Sequence, residues 1–422
     1  MIVDRLKFFM SRLREQLWLR PLAMCVFSIG LAFLAKAADY GNVSDFVPRI
    51  SAETIEALLK IIAASMLVIA TFAVGSMVSS YASASVSATP RSFPLVLSDD
   101  VSQNALSSFI GSFIFSIVSL IALLNGLYDK GGRFALFCLT LFVFAAVIVT
   151  FVGWVDRIAR LGRLGTTIDK AESAAVKAFQ TRLRMPTLGG VPVRPRSDEG
   201  EPVYGETVGY VQRIEITRLQ KYAEESEVRI EVAALPGTFS MPGRPLAFII
   251  AASREGGELD RQRIAACFQI ANDRTFDDDP RFGLVVLSEI ASRALSPAVN
   301  DPGTAIDIIN VFLRLFVIWN KPAEEEDRIS CEYDRVELPE ISIHDMFDDA
   351  FMAVARDGAG AVEVGIRLQK VLHALAKVGD KNMRKAAEHH ARQAIARAEQ
   401  ALVLSDDLDA IRSAGMFAEQ SS

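Results

Sequence analysis

The stretch Arg293-Ala-Leu-Ser-Pro-Ala-Val-Asn-Asp-Pro-Gly-Thr-Ala305 gathers Ser296, Asn300, Asp301 and Thr304 beside Arg293, between two apolar runs. Asp301 stands at an N-cap position with Pro302 at the first helical residue, so the spacing predicts a helix from Pro302 to Trp319. A helix start offers unpaired N–H groups and partial positive charge, which suits an anion or a partner's carboxylate. Arg274, at the head of the acidic turn Arg274-Thr-Phe-Asp-Asp-Asp-Pro280, joins these five as a candidate ligand contact. Two readings stay open: a binding site, or a turn in which Asp301 caps the helix and Asn300 holds the loop.

Other reactive residue types carry less. There is no Gly-rich phosphate loop with a Lys, no HExxH, no GxSxG and no Cys-His pair at a known spacing, so no catalytic residue is assigned. The adjacent His389 and His390 would point to different helix faces and make a poor metal pair, and His344 and His373 read as ordinary helix residues. Asp277, Asp278 and Asp279 converge poorly for a cation and read as a solvated turn. No metal or cofactor is expected.

Ser76, Ser79, Ser80, Ser83 and Ser87 recur at intervals of three and four residues, which places them on one helix face among Gly75, Ala82, Ala84 and Ala88. Such a face could line a water-filled path, its hydroxyls replacing part of an ion's hydration. It could equally serve close helix packing through small residues. No charged residue falls in the middle of any apolar run, which argues against a proton-coupled pump or a voltage sensor.

The elements that must position these residues follow from charge and hydropathy. Residues 61–89, 101–128 and 134–155 are uncharged, each longer than the ~20 residues that cross a bilayer. Trp18 to Ala35 makes a weaker first crossing, for four in all. Ala35-Lys36-Ala37 resembles a signal cleavage site, but the segment is long for a signal and reads as a retained helix. Arg5, Lys7, Arg12, Arg14 and Arg20 precede the first crossing, and Arg157, Arg160 and Arg163 follow the last. By the positive-inside rule both termini are expected in the cytoplasm, with the lipid bilayer as a partner. A net charge of −6 without a basic stripe argues against nucleic acid. The four cysteines are far apart and read as free packing thiols.

The expected fold class is a four-helix membrane domain followed by an α+β region holding a small β-barrel-like module and a helical C-terminal part. Its divisions are 1–160 for the membrane domain, 161–202 for a neck and linker, and 203–254 for the β module. Residues 255–320 form a helical region with the SPAVNDPGTA turn, and 321–422 an acidic connector with C-terminal helices. Val208–Ile214 and Glu227–Val232 alternate as strands, and the cadence toward "PGRPLAFI" is loosely that of a lipoyl-type barrel without its acceptor Lys.

Three stretches carry a resemblance: "SSYASASVSATPRSFP", "GYVQRIEITRLQKYAEE…LPGTFSMPGRPLA" and "RTFDDDPRFGLVVLSEIASRALSPAVNDPGTA". The chain resembles the bacterial membrane-protein family catalogued as domain of unknown function 2254, from the second crossing to the C-terminal helices. The family's usual Ser-Pro-Arg is Thr89-Pro90-Arg91 here, and Asp278, Val285 and Gly303 also depart from its pattern. The resemblance implies an inner-membrane protein and supplies no reaction. Three functions are weighed. The first is a homo-oligomeric channel or transport-type protein with a serine-lined second helix and a cytoplasmic regulatory domain. The second is a membrane-anchored sensor or scaffold binding a small anionic ligand or partner near Asn300 and Asp301. A membrane enzyme is the weakest.

Overall fold

In the computed structural model the chain divides into two compact units, residues 1–167 and 168–422. The structure describes residues 18–40, 47–97, 100–158, 163–194, 200–251, 259–321 and 331–416. Arg5, Lys7, Arg12, Arg14 and Arg160, on which part of the orientation rests, lie outside the described residues, as does the side chain of Ser87.

The first unit is built from long helices: α1 (Leu19–Ala37), α2 (Ala52–Ser87), α3 (Asp100–Leu124) and α4 (Lys130–Ile158). On α2 the buried residues Ile55, Leu59, Ile62, Ala63, Met66, Ala70, Ala73, Met77 and Tyr81 recur every three or four positions, forming one inward stripe. Outside it, Val68, Phe72 and Val78 are exposed, as are Phe142, Val149 and Val152 on α4. Apolar side chains left uncovered in this density suit a lipid surround. Trp154 is buried between Phe72, Phe109 and Phe151, at ring-centroid distances of 6.0–6.2 Å. The buried hydroxyls of the unit belong mainly to α3, where Ser102, Ser107, Ser112, Ser116 and Ser119 face inward.

Among the described residues five helices, not the four expected, are long and apolar enough to cross a membrane; the fifth is Pro302–Trp319. Asp307 and Arg314 interrupt its uncharged run, so a search for long uncharged stretches passes over it, although its mean hydropathy is 1.5. It lies within the second unit, where Ile308, Ile309, Phe312, Leu315 and Phe316 are wholly buried.

After the amphipathic α5 (Leu164–Arg184), the second unit forms a mixed sheet rather than the expected barrel-like module. Its strands are β1 (Gly190–Pro192), β2 (Glu201–Tyr204), β3 (Gly209–Ile214), β4 (Val228–Val232), β5 (Phe239–Ser240), β6 (Pro245–Ala251), β7 (Phe268–Ala271) and β8 (Tyr333–Leu338), with α6 (Ile216–Glu225) between β3 and β4. Five strands pair in the order β1-β8-β4-β6-β2, and a separate three-stranded sheet has the order β5-β3-β7. The larger sheet ends in β1 and β2 and does not close on itself. A long-range insertion joins β1 to the rest of this sheet. Residues 333–338, expected as part of an exposed connector, enter beside β4 in parallel, pairing Ile230 with Val336. The α6 residue Gln220 secures that insertion: its Nε2 donates to Asp334 Oδ1 at 2.7 Å, and its Oε1 accepts from the Arg335 N–H at 3.0 Å. Leu219, Tyr222 and Ala223 of α6 share one core with Val203, Ile230, Val232, Ile249, Val336 and Leu338.

The helical part comprises α7 (Pro280–Ala294), α8 (Pro302–Trp319), α9 (Ile343–Asp357), α10 (Val362–Val378), α11 (Lys381–Ala401) and α12 (Ser405–Gly415). Phe312 and Phe316 of α8 meet Phe347 and Phe351 of α9 with centroids 4.4–5.7 Å apart, all four wholly buried. Each such burial contributes about 1.5–3 kcal/mol, which explains why α8 is so apolar.

Candidate functional site

In the turn between α7 and α8, the side chains of Ser296, Asp301 and Thr304 bond within the turn itself. Asp301 Oδ1 accepts from the Thr304 N–H at 3.1 Å, and its Oδ2 accepts from Thr304 Oγ1 at 2.6 Å. Ser296 Oγ donates to the Arg293 carbonyl at 2.6 Å, and the Asp301 N–H reaches back to Ala294 O at 2.8 Å. Asn300 takes a left-handed φ of 50°, a conformation that asparagine tolerates better than most residues. The Thr304 hydroxyl and N–H hold the Asp301 carboxyl below the usual carboxylate range. Arg293 is exposed and lines a separate cavity of 510 Å³ with Ser292, Asp349 and Arg356.

Arg274 is not part of that group. It sits at the opposite end of α7, whose 15 residues span about 22 Å at the helical rise. There the second Asp-Pro pair repeats the cap chemistry in a buried setting. Asp279 caps α7 by accepting from the Arg281 N–H at 3.1 Å, and Pro280 is the first helical residue. Arg274 grips the same carboxylate with two parallel bonds of 2.7 and 3.0 Å, where Asp279 is 2% and Arg274 15% exposed. The Arg274 guanidinium lies over the Phe282 ring at 5.3 Å. Arg281 in turn holds Asp349 at 2.6 Å and Asp345 at 2.8 Å, joining α7 to α9. Burial raises the pKa of Asp349 even though Arg281 opposes the shift, and it raises that of Asp278 as well. Burial also pushes the Arg182 guanidinium, which donates to the Asp278 carbonyl at 3.4 Å, down to about 10.

This cluster walls a cavity of 470 Å³. Gly237, with φ of 91°, lies so close to Asp279 that a Cβ there would sit 2.4 Å from Oδ2. The stretch Leu235–Phe239 and the stretch Arg274–Arg281 therefore share one cavity, with Arg244 on its wall. Arg244 is exposed and donates to the Phe239 carbonyl at 3.4 Å. Glu340, Ile341 and Ser342 also line a second cavity of 980 Å³, together with Lys321, Lys385, Arg392, His344 and His389.

The fold also joins histidines that are distant in sequence. His344 Nδ1 lies 3.3 Å from Asp348 Oδ2, and His390 Nε2 lies 3.2 Å from Asp348 Oδ1. His344 and Asp348 are one turn apart on α9, whereas His390 comes from α11. No local pattern links His390 to the other two, and only the fold brings it to them.

Four of the five α2 serines have described side chains, and none of these four is fully buried. Ser79 and Ser83 are exposed and Ser76 and Ser80 half-buried, while the inward stripe of α2 passes through Ala73, Met77 and Tyr81. Gly75 is exposed on the same outer side, with nothing within 4 Å of a Cβ placed there.

The family described as "Predicted membrane protein (DUF2254)" matches residues 14–374 of the chain. Over 157 residues the chain is 28% identical to the uncharacterized protein MT1328 of Mycobacterium tuberculosis strain CDC 1551, covering 33% of this chain and 30% of that protein. The uncharacterized protein Mb1321c of Mycobacterium bovis matches with the same identity and coverage. The chain thus spans 30% of the length of these relatives. No solved structure matches it.

Proposed function

The chain belongs to the DUF2254 family and is a multi-pass bacterial membrane protein held in the bilayer by several membrane-spanning helices; from that premise we propose that it is a membrane-anchored receptor for a small anionic ligand. The binding place is the 470 Å³ cavity at the Arg274 end of α7 rather than the Asn300–Asp301 turn, where the Asp301 carboxylate is taken up by Thr304. The observation that carries this is the convergence of Leu235–Phe239 and Arg274–Arg281 on one cavity of small-molecule size. Arg274 and Arg281, locked to carboxylates, supply rigid walls, and Arg244 supplies a guanidinium for a carboxylate or phosphate. The reading is one of recognition, not catalysis. The basic clusters at residues 5–20 and 157–163 favour the cytoplasmic side of the inner membrane for both. A thermal-stability screen of the detergent-purified chain against small carboxylates and phosphates tests the proposal. A stabilising anion should lose affinity by at least about tenfold in Arg244→Ala, the loss of one charge-assisted contact. Equal affinity in that variant, or no stabilising anion, refutes it.

A second reading rests on the outward face of α2. Gly75, Ser79 and Ser83 are exposed there among small residues, a surface suited to close packing with another copy. A serine-lined path would then arise only between chains, in a homo-oligomer. Ion flux in proteoliposomes should fall with Ser79→Leu or Ser83→Leu, and undiminished flux in both removes the assignment.

A further inference from the structure

We propose that His344, Asp348 and His390 form a binding site for one divalent transition-metal ion. The ligand atoms, two imidazole nitrogens and a carboxylate oxygen, lie within 4.8 Å of one another. His390 Nε2 lies 3.2 Å from Asp348 Oδ1, and His344 Nδ1 lies 3.3 Å from the other oxygen, Oδ2. Ligands bonded at about 2.0–2.2 Å around a tetrahedral ion stand roughly 3.4 Å apart, so a set no wider than 4.8 Å has only to tighten around the ion. His344 and Asp348 share one face of α9, and α11 brings His390 opposite them.

An independent observation points to a missing partner. The His390 side chain is 1% exposed, yet among the described residues neither ring nitrogen completes a hydrogen bond. Its Nε2 is 3.2 Å from Asp348 Oδ1 without completing a hydrogen bond to it. Buried polar atoms are almost always satisfied, and a metal accepting the Nε2 lone pair would satisfy this one. Phe347 and Phe351 stand against the His390 ring with centroids at 5.9 and 6.3 Å, giving the site an apolar back wall.

The donor set selects the ion. Calcium and magnesium prefer oxygen cages, whereas two imidazoles and one carboxylate suit zinc, cobalt, iron(II) or nickel. His344 lines the 980 Å³ cavity and its side chain is 55% exposed, so an ion here would be reachable from that cavity. His389 is turned to Gln393, with Nε2 atoms 2.9 Å apart, and flanks the site rather than completing it. The site shares no residue with the contacts that hold Arg274, Arg281 and Arg244, and it stands or falls separately from the anion receptor.

The test is a Co²⁺ titration of the full-length, untagged, chelator-stripped chain in detergent, read by visible absorption. One equivalent of Co²⁺ should bind with a d–d band that Zn²⁺ abolishes. His344→Ala and Asp348→Asn, both at partly exposed positions, should each weaken Co²⁺ by at least about tenfold, and His373→Ala should leave it unchanged. X-ray absorption at the cobalt edge of the wild-type complex should show scattering from two imidazoles. Failure of the wild-type chain to bind stoichiometric Co²⁺ overturns the site, as does undiminished binding in both variants or an edge spectrum without imidazole.

Discussion

Asp279→Ala and Asp301→Ala remove the same chemical group from the same Asp-Pro helix start, and the structure requires very different costs. At Asp301 the carboxylate is a partly exposed cap, and its loss costs ~1 kcal/mol. At Asp279 the cap is lost too, and Arg274, 15% exposed, is left without its counter-charge. Stranding a buried charge costs about 3–5 kcal/mol; the residual exposure of Arg274 favours the lower end, for a total near ~4 kcal/mol. The difference of about 3 kcal/mol corresponds to a factor on the order of a hundred in the opening equilibrium. Amide hydrogen exchange of the full-length chain in detergent reads this difference directly, in peptides covering α7 and α8. A double variant, Arg274→Met with Asp279→Ala, strands no charge and should recover roughly 2 kcal/mol. Equal loss of protection in the two single variants, or no recovery in the double, would refute the buried ion pair as the source of the effect.

Two further expectations concern the same elements. Gly237→Ala forces a Cβ to within 2.4 Å of Asp279 Oδ2 at a φ of 91°, so it should destabilise α7 by about 1–3 kcal/mol and loosen the same peptides as Asp279→Ala; wild-type exchange would contradict the close approach. The Asp301 cap should depend on acid. Its folded-state pKa lies below the ordinary value of 3.8, so the unfolded chain takes up the proton first as pH falls. The contribution is therefore complete above that value and is lost as pH drops through it and past the lowered one. First-turn protection of α8, corrected for intrinsic exchange, should decline over that window in the wild type and not in Asp301→Asn.

Much of the molecule was legible one residue at a time. Uncharged runs marked α2, α3 and α4 because a charged side chain in hydrocarbon is costly. Asp301-Pro302 marked the start of α8 because capping is a matter of three adjacent residues. The site was less legible. Arg274 and the Asn300 turn were grouped by proximity in sequence, yet a whole helix separates them. The serine periodicity of α2 was real, but periodicity says only that residues share a face. Packing decided that Ser79 and Ser83 stay exposed on one chain while Ser102, Ser107, Ser112, Ser116 and Ser119 of α3 are buried.

What the sequence determined by itself was local: helix extents, caps, the membrane-spanning character and the family motifs, all set by interactions within one or two turns of the chain. What only the tertiary structure decided was long-range. Residues 333–338 became an inner strand because α6 and β4 offered Gln220 and a free edge. One Asp-Pro start became a buried ion pair and the other a partly exposed cap because Arg274 folds over the first alone. His344 and His390 met because α9 and α11 pack together. Such meetings depend on which surfaces bury one another, and no spacing along the chain encodes that.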